Sequence, residues 1–288
     1  MNPLGIFTTV YGRASLLEMA RAIQGHGMRF VHLDPRYPPI QTGGGIPTAA
    51  RAREVRQILA DHQIAIAALA GYTNLVHADL TAREAGLEAF ERLIDLCAEF
   101  GTRYIATETG SLHPENPWED HPNNRTPEAW AALKGALERL LRRARPAGVT
   151  ILLEGYVNNV LATTEQAARL VDELGPEGLG FVLDPFNYFT REDMAAPAAA
   201  LDRIFGAIAQ RAPIAHAKDV VYTERGIETP KAGAGRMDWP AFAARLLRER
   251  PHVPLILEHL RAEEIPACKA FIEAAFARAE GEGAASGL

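Results

Sequence analysis

Four apolar runs in the second half of the chain end on, or close to, a side chain that can bind a cation. The run "TILLE" (150–154) closes on Glu154, "LGFVLD" (179–184) on Asp184 and "PLILE" (254–258) on Glu258, while "PIAHAK" (213–218) carries His216 near its end. In a strand, side chains alternate across the sheet, so each of these residues shares a face with the residue two before it: Leu152, Val182, Ile214 and Ile256. Those four are apolar and suited to filling a barrel, which brings three carboxylates and one imidazole together above a core. Like charges a few ångströms apart raise each other's pKa unless a cation neutralises them. A divalent metal would do so, and an oxygen-rich set with one imidazole favours Mn2+ or Mg2+, with Zn2+ or Co2+ also able to bind. A lone carboxylate at a strand end is more often a cap or turn residue; the agreement of four successive runs carries the reading.

The elements needed to position these groups are legible in the same rhythm. Strand-like runs fall at 5–10, 29–34, 64–69, 103–108, 150–154, 179–184, 213–218 and 254–258. Segments of helical apolar period separate them, at about 14–25, 47–61, 81–101, 126–144, 164–174, 191–211, 238–250 and 262–280. Thr81 and Gly101 bracket the third of these, and Thr126 caps the fourth with Pro127 in its first position. Alternation of strand and helix eight times predicts an α/β fold, a single (β/α)8 TIM barrel over residues 1–280, with a flexible tail at 281–288. An open doubly wound sheet is the other architecture, but no early strand end carries a glycine-rich phosphate loop. The glycines at 43–45 predict a flexible lid or connection.

The order of several short motifs resembles a known family. "ILLEG" (151–155), "VLDPFN" (182–187), "IAHAKD" (214–219), "KAGAGRMDW" (231–239) and "LILEH" (255–259) are similar to successive motifs of the xylose isomerase-like barrels, the sugar phosphate isomerase/epimerase group. "LAGYTNLVH" (69–77) and "NRTPEAW" (124–130) add to the likeness. The resemblance implies a (β/α)8 fold and one divalent metal held by Glu154, Asp184, His216 and Glu258. It implies isomerase, epimerase or dehydratase chemistry on a sugar, sugar phosphate or polyol. One departure stands out: several epimerases have a histidine three residues after the metal aspartate, where this chain has Asn187. An amide can hydrogen-bond a sugar hydroxyl but cannot take a proton at neutral pH.

Such chemistry removes a proton next to a metal-bound carbonyl and passes through an enediolate, which a Lewis acid stabilises. Glu154 and Glu258 are the candidates to take and return the proton, as such a pair does in relatives. Lys218, two residues after His216, points the same way and either steadies a developing alkoxide or pairs with Glu154, Asp184 or Asp219. Asp219 is a candidate to orient His216 or to cap its loop. His32, Asn74, Glu108, Asn187 and Arg236 are candidate substrate-binding residues, with Asp34 beside His32 on the second strand. Trp118, Phe186 and Tyr188 are candidates to stack on a sugar ring, whereas Trp130 and Trp239 read as packing residues.

A net charge of −6 opposes a nucleic-acid partner, and no apolar run is long enough to cross a membrane. The N-terminal residues lack the pattern of a secretory signal, which predicts a cytoplasmic protein with a small-molecule sugar substrate. Cys97 and Cys268 read as buried apolar side chains, and the outer helices leave room for a homo-oligomer. Three other readings stand beside isomerase or epimerase: a lyase dehydrating a keto-polyol, a non-catalytic sugar-binding barrel, and a DNA-repair endonuclease. The last would need more histidines than these strand ends supply.

Overall fold

The structure, a computed structural model, describes residues 1–41, 45–224 and 226–285. Eight parallel strands close a barrel: β1 (Leu4–Phe7), β2 (Phe30–Leu33), β3 (Ala65–Ala70), β4 (Tyr104–Glu108), β5 (Thr150–Glu154), β6 (Leu179–Leu183), β7 (Ile214–Ala217) and β10 (Leu255–Leu257). Between β7 and β10 an antiparallel hairpin intervenes, β8 (Val221–Thr223) with β9 (Gly226–Glu228). Helices α1 (Leu16–Gly25), α2 (Ala49–Asp61), α3 (Leu80–Phe100), α4 (Pro127–Ala144), α5 (Thr164–Leu174), α6 (Pro197–Ile208), α7 (Trp239–Glu249) and α8 (Ile265–Ala285) surround the barrel. Among the described residues, no helix is long and apolar enough to cross a membrane.

Alternation along the strands divides the apolar side chains into two sets. Ala68, Ala106, Leu152, Val182 and Ile214 form a separate cluster inside the barrel. Their neighbours Leu69, Ile105, Ile151, Leu153, Phe181 and Leu183 face outward into the main core beneath the helices. Large and small side chains share the barrel interior, and Gly5 shows how closely it is filled. A β-carbon there would lie 2.6 Å from Ile256 Cδ1 and 2.7 Å from the Phe30 carbonyl oxygen. The residue two positions above each interior side chain therefore emerges at the C-terminal mouth, where barrel enzymes place their active sites.

Most boundaries follow local chemistry. Thr126 accepts a hydrogen bond from the Ala129 amide with Pro127 first in α4, and Gly101 ends α3 in the left-handed region at φ 77°. Four expectations are revised. Asp79, not Thr81, caps α3, because its carboxylate accepts from both the Thr81 and Ala82 amides. The segment 191–211 breaks into short 3-10 turns flanking α6, which starts where Pro197 fixes its first φ. The first strand stops at Phe7, and Thr8–Tyr11 turn as a 3-10 helix. Helix α8 continues to Ala285, into the stretch expected to be a tail, while residues 286–288 lie outside the described residues. So do residues 43 and 44 of the glycine run read as a lid or connection.

Candidate metal and substrate site

Glu154, Asp184, His216 and Glu258 meet at the C-terminal mouth. One ligand atom from each lies within 4.8 Å of all the others, and all four side chains are buried. His216 Nδ1 is 3.2 Å from Asp184 Oδ2, 3.3 Å from Glu258 Oε1 and 3.6 Å from Glu154 Oε2. Its other nitrogen, Nε2, is 3.2 Å from His32 Nδ1. Burial and the neighbouring His216 push His32 down to about 3, so it is neutral and its Nδ1 accepts from His216 Nε2–H. That contact leaves His216 Nδ1 facing the carboxylates.

Charge within the cluster is strongly coupled. Burial works against the His216 imidazolium, but the Glu258 and Glu154 carboxylates outweigh it and lift the group to about 10. Burial raises Glu154, whereas Glu258 is held well below the usual carboxylate range because His216 and Lys218 overcome its desolvation. Lys218 Nζ stands 2.7 Å from Asp184 Oδ2, 2.8 Å from Glu258 Oε1 and 3.5 Å from Glu154 Oε1. The residues fit a divalent ion: three carboxylates and one imidazole converge, and Asp184 Oδ1 is buried with no hydrogen-bond partner.

The two glutamates differ in their surroundings. Glu154 Oε1 accepts from Asn187 Nδ2 at 2.7 Å, and Glu154 Oε2 accepts a short hydrogen bond from the Tyr72 hydroxyl. Burial and Glu154 raise the Tyr72 hydroxyl far above the ordinary phenol range, so it stays protonated and donates. Glu258 is held instead by the cations Lys218 and His216, and it lines a cavity of about 410 Å³. Aromatic rings line much of that cavity: Phe7 packs edge-on to Tyr72, Tyr72 lies 6.4 Å from Trp118, and Trp118 lies 5.7 Å from Tyr156. Asp34 and Arg36 pair across its edge at 3.0 Å, and Arg36 also donates to the Tyr72 carbonyl. His259 completes the wall on backbone at φ 56°, an uncommon conformation for a residue other than glycine.

Several expected contacts lie elsewhere. His32 is fully buried behind His216 and does not line the cavity. Asn74 bridges two loops instead: its amide donates to the Ser111 carbonyl, and its oxygen accepts from the Val76 amide. Arg236 has an exposed side chain away from the cavity. Asp219 does not touch His216. Its carboxylate gathers the amides of Val220, Gly233 and Met237 with the Trp239 indole N–H, and so pins the loop at 231–239. Phe186 packs against Trp239 and Phe242, and the Tyr188 ring lies against Gly155, so neither faces the cavity. Glu108 pairs in register with Glu154 but is buried off the cavity, and its desolvated carboxyl is lifted to about 7. Asn187, Lys218 and Trp118 do line the cavity. Phe7, Arg36, Tyr72, Tyr156 and His259 were not anticipated. Counting two beyond Gly5 and two beyond Ala70 would have found Phe7 and Tyr72.

The family of xylose isomerase-like TIM barrels matches residues 20–279. A ketose 3-epimerase from Arthrobacter globiformis is 30% identical over 158 residues, which are 52% of this chain and 53% of that protein. The matched stretch thus spans about half the length of this relative. Among solved structures, an L-ribulose 3-epimerase superposes with a TM-score of 0.73 at 18% identity, covering 100% of this chain and 99% of that one. A xylose isomerase-like barrel protein from Mycobacterium smegmatis, in complex with magnesium, superposes with a TM-score of 0.71 at 17% identity, covering 97% of each chain.

Proposed function

Because the chain belongs to the xylose isomerase-like TIM barrel family, we propose that it is a divalent-metal-dependent isomerase or epimerase of a small sugar, sugar phosphate or polyol. The observation that carries the reading is the buried convergence of Glu154, Asp184, His216 and Glu258 beside an aromatic-lined cavity. The ketose 3-epimerase likeness supports the same class.

When bound, a divalent ion would supply Lewis acidity, stabilising negative charge that develops on substrate oxygens. The four cluster residues would hold it, with Mn2+ or Mg2+ matching the oxygen-rich donors. Glu258, which lines the cavity beside Lys218 and His216, takes a proton from the carbon beside the substrate carbonyl. Glu154 stands on the other side of the cluster and acts as the second proton-transfer group. Tyr72 and Asn187 fix its orientation through its two oxygens. The rings of Phe7, Tyr72, Trp118 and Tyr156 offer apolar faces to a sugar and exclude water from the reacting carbon.

A panel of ketoses, aldoses and polyols incubated with Mn2+-loaded protein in deuterium oxide tests the reading. The expected outcome is a new stereoisomer or carbonyl isomer carrying solvent deuterium at the reacting carbon. Turnover with loss of water would move the assignment to the dehydratase reading. Saturable sugar binding with neither product nor deuterium exchange would move it to a binding barrel.

A further inference from the structure

We propose that Lys218 is a resident cation of the cluster, beside His216, and gives way when a divalent ion enters, so that metal binding delivers its ammonium to the substrate cavity. The inference rests on the metal reading above. Lys218 is buried, and its Nζ lies within 4.0 Å of three carboxylates that could also serve as metal ligands. Burying three carboxylates requires compensating charge, and Lys218 shares that role with His216, at 2.7 Å from Asp184 and 2.8 Å from Glu258. An ammonium and a divalent ion on the same oxygens would stand a few ångströms apart in a poorly solvated site, and their repulsion favours replacement of the one by the other.

The side chain has somewhere to go. Lys218 already lines the cavity of about 410 Å³ beside Tyr156 and Asn187. A lysine stem is long and rotatable, whereas the chain on either side of it is fixed: His216 lies in β7, and Asp219 is held by four N–H donors. Movement is therefore confined to the side chain. Lys218 becomes a substrate-binding residue whose ammonium can meet a substrate oxygen only once the cluster is loaded. A substrate reaching the metal-free protein finds that ammonium already engaged.

Two measurements test this. Metal-free protein and its Lys218→Met variant, which keeps an unbranched side chain but removes the charge, are titrated with MnCl2 by calorimetry and melted with and without the metal. The variant is expected to bind Mn2+ at least about tenfold more tightly. It should melt below wild type when metal-free and close to wild type when loaded. Acetylation mapped by mass spectrometry on the wild-type protein should find Lys218 shielded without metal and labelled after Mn2+ saturation. The partly exposed Lys134, Lys231 and Lys269 serve as references. Equal or weaker Mn2+ affinity in a folded variant, or equal shielding of Lys218 in both states, overturns the inference and leaves the metal site standing. Absence of Mn2+ binding to either protein overturns the metal reading and this inference with it. The labelling result decides the matter if the variant does not fold without metal.

Discussion

The two halves of the barrel mouth are built from different materials. The ends of β5, β6, β7 and β10 present Glu154, Asp184, His216 with Lys218, and Glu258, a cluster in which every group carries or can carry charge. The ends of β1, β2 and β3 present Phe7, His32 and Tyr72, which are rings with at most one polar function directed at the cluster. The contrast is sharpest between two imidazoles 3.2 Å apart. His216 is lifted to about 10 by carboxylates that outweigh its burial, while His32 is pushed to about 3 by burial and by His216 itself, which the pull of Glu258 does not offset. One half concentrates reactive charge; the other holds that charge in orientation and walls the cavity. Substitutions in the first half should therefore abolish metal binding or chemistry, and those in the second should weaken them.

The largest effect expected is that of Asp184→Asn. The change keeps the side-chain volume but removes a charged donor from a fully buried position, and the new amide would point N–H groups at the other ligands. Retained Mn2+ after desalting should fall below about a tenth of an ion per chain, with turnover down at least about a thousandfold. Elemental analysis beside a steady-state assay checks both. Metal retained at the wild-type level would break the comparison, because the charged half would then not be the metal site.

How far this division could be read from sequence depends on how tightly the backbone dictates side-chain direction. Along a strand it dictates it fully, so two-residue alternation from Leu152, Val182, Ile214 and Ile256 brought the four cluster residues to one point. Beyond a strand end the rule fails. Asn74 and Arg236 sit in loops whose course is set by hydrogen bonds that leave no periodic trace, and both turned away from the cavity. Alternation puts Asp219 on the outward face, but its four N–H partners come from residues as distant as Trp239. The β8–β9 hairpin consists of two three-residue strands, too short to show a period. Alternation puts His32 on the inner face, yet whether an inner residue meets substrate or a neighbour depends on its depth in the barrel. Alternation gives the face and not the depth.

Tyr72→Phe sharpens the comparison at an intermediate size. It deletes the one hydroxyl by which the aromatic half holds Glu154, leaving the ring against Phe7 and Trp118 and the other oxygen of Glu154 on Asn187. Partners that orient a metal ligand typically contribute ten- to a hundredfold, and an effect of about tenfold on turnover is expected here because one of two clamps remains. Mn2+ affinity should change less than turnover, since Asp184, His216 and Glu258 are untouched. A loss as deep as that of Asp184→Asn would mean that Tyr72 belongs functionally to the reactive half.

The prediction that separates the two imidazoles is a pH dependence. In the metal-free protein the folded pKa of His216, about 10, lies above the unfolded value of about 6.5. Its charge therefore stabilises the metal-free fold fully below about pH 6.5, and that contribution is lost as pH rises through about 10. A divalent ion must take His216 Nδ1 in its deprotonated form, so binding releases a proton, and affinity should rise with pH by at most about tenfold per unit across this window. His32 contributes nothing to the slope, because it is neutral throughout. Calorimetry at pH 7.5 in two buffers of different ionisation enthalpy should give close to one proton released per ion. Replacing His32 by Gln should preserve that number even if it weakens binding. Affinity flat from pH 6.5 to 9, with no proton released, would show that His216 is already neutral before the metal arrives, and that Lys218 alone balances the carboxylates.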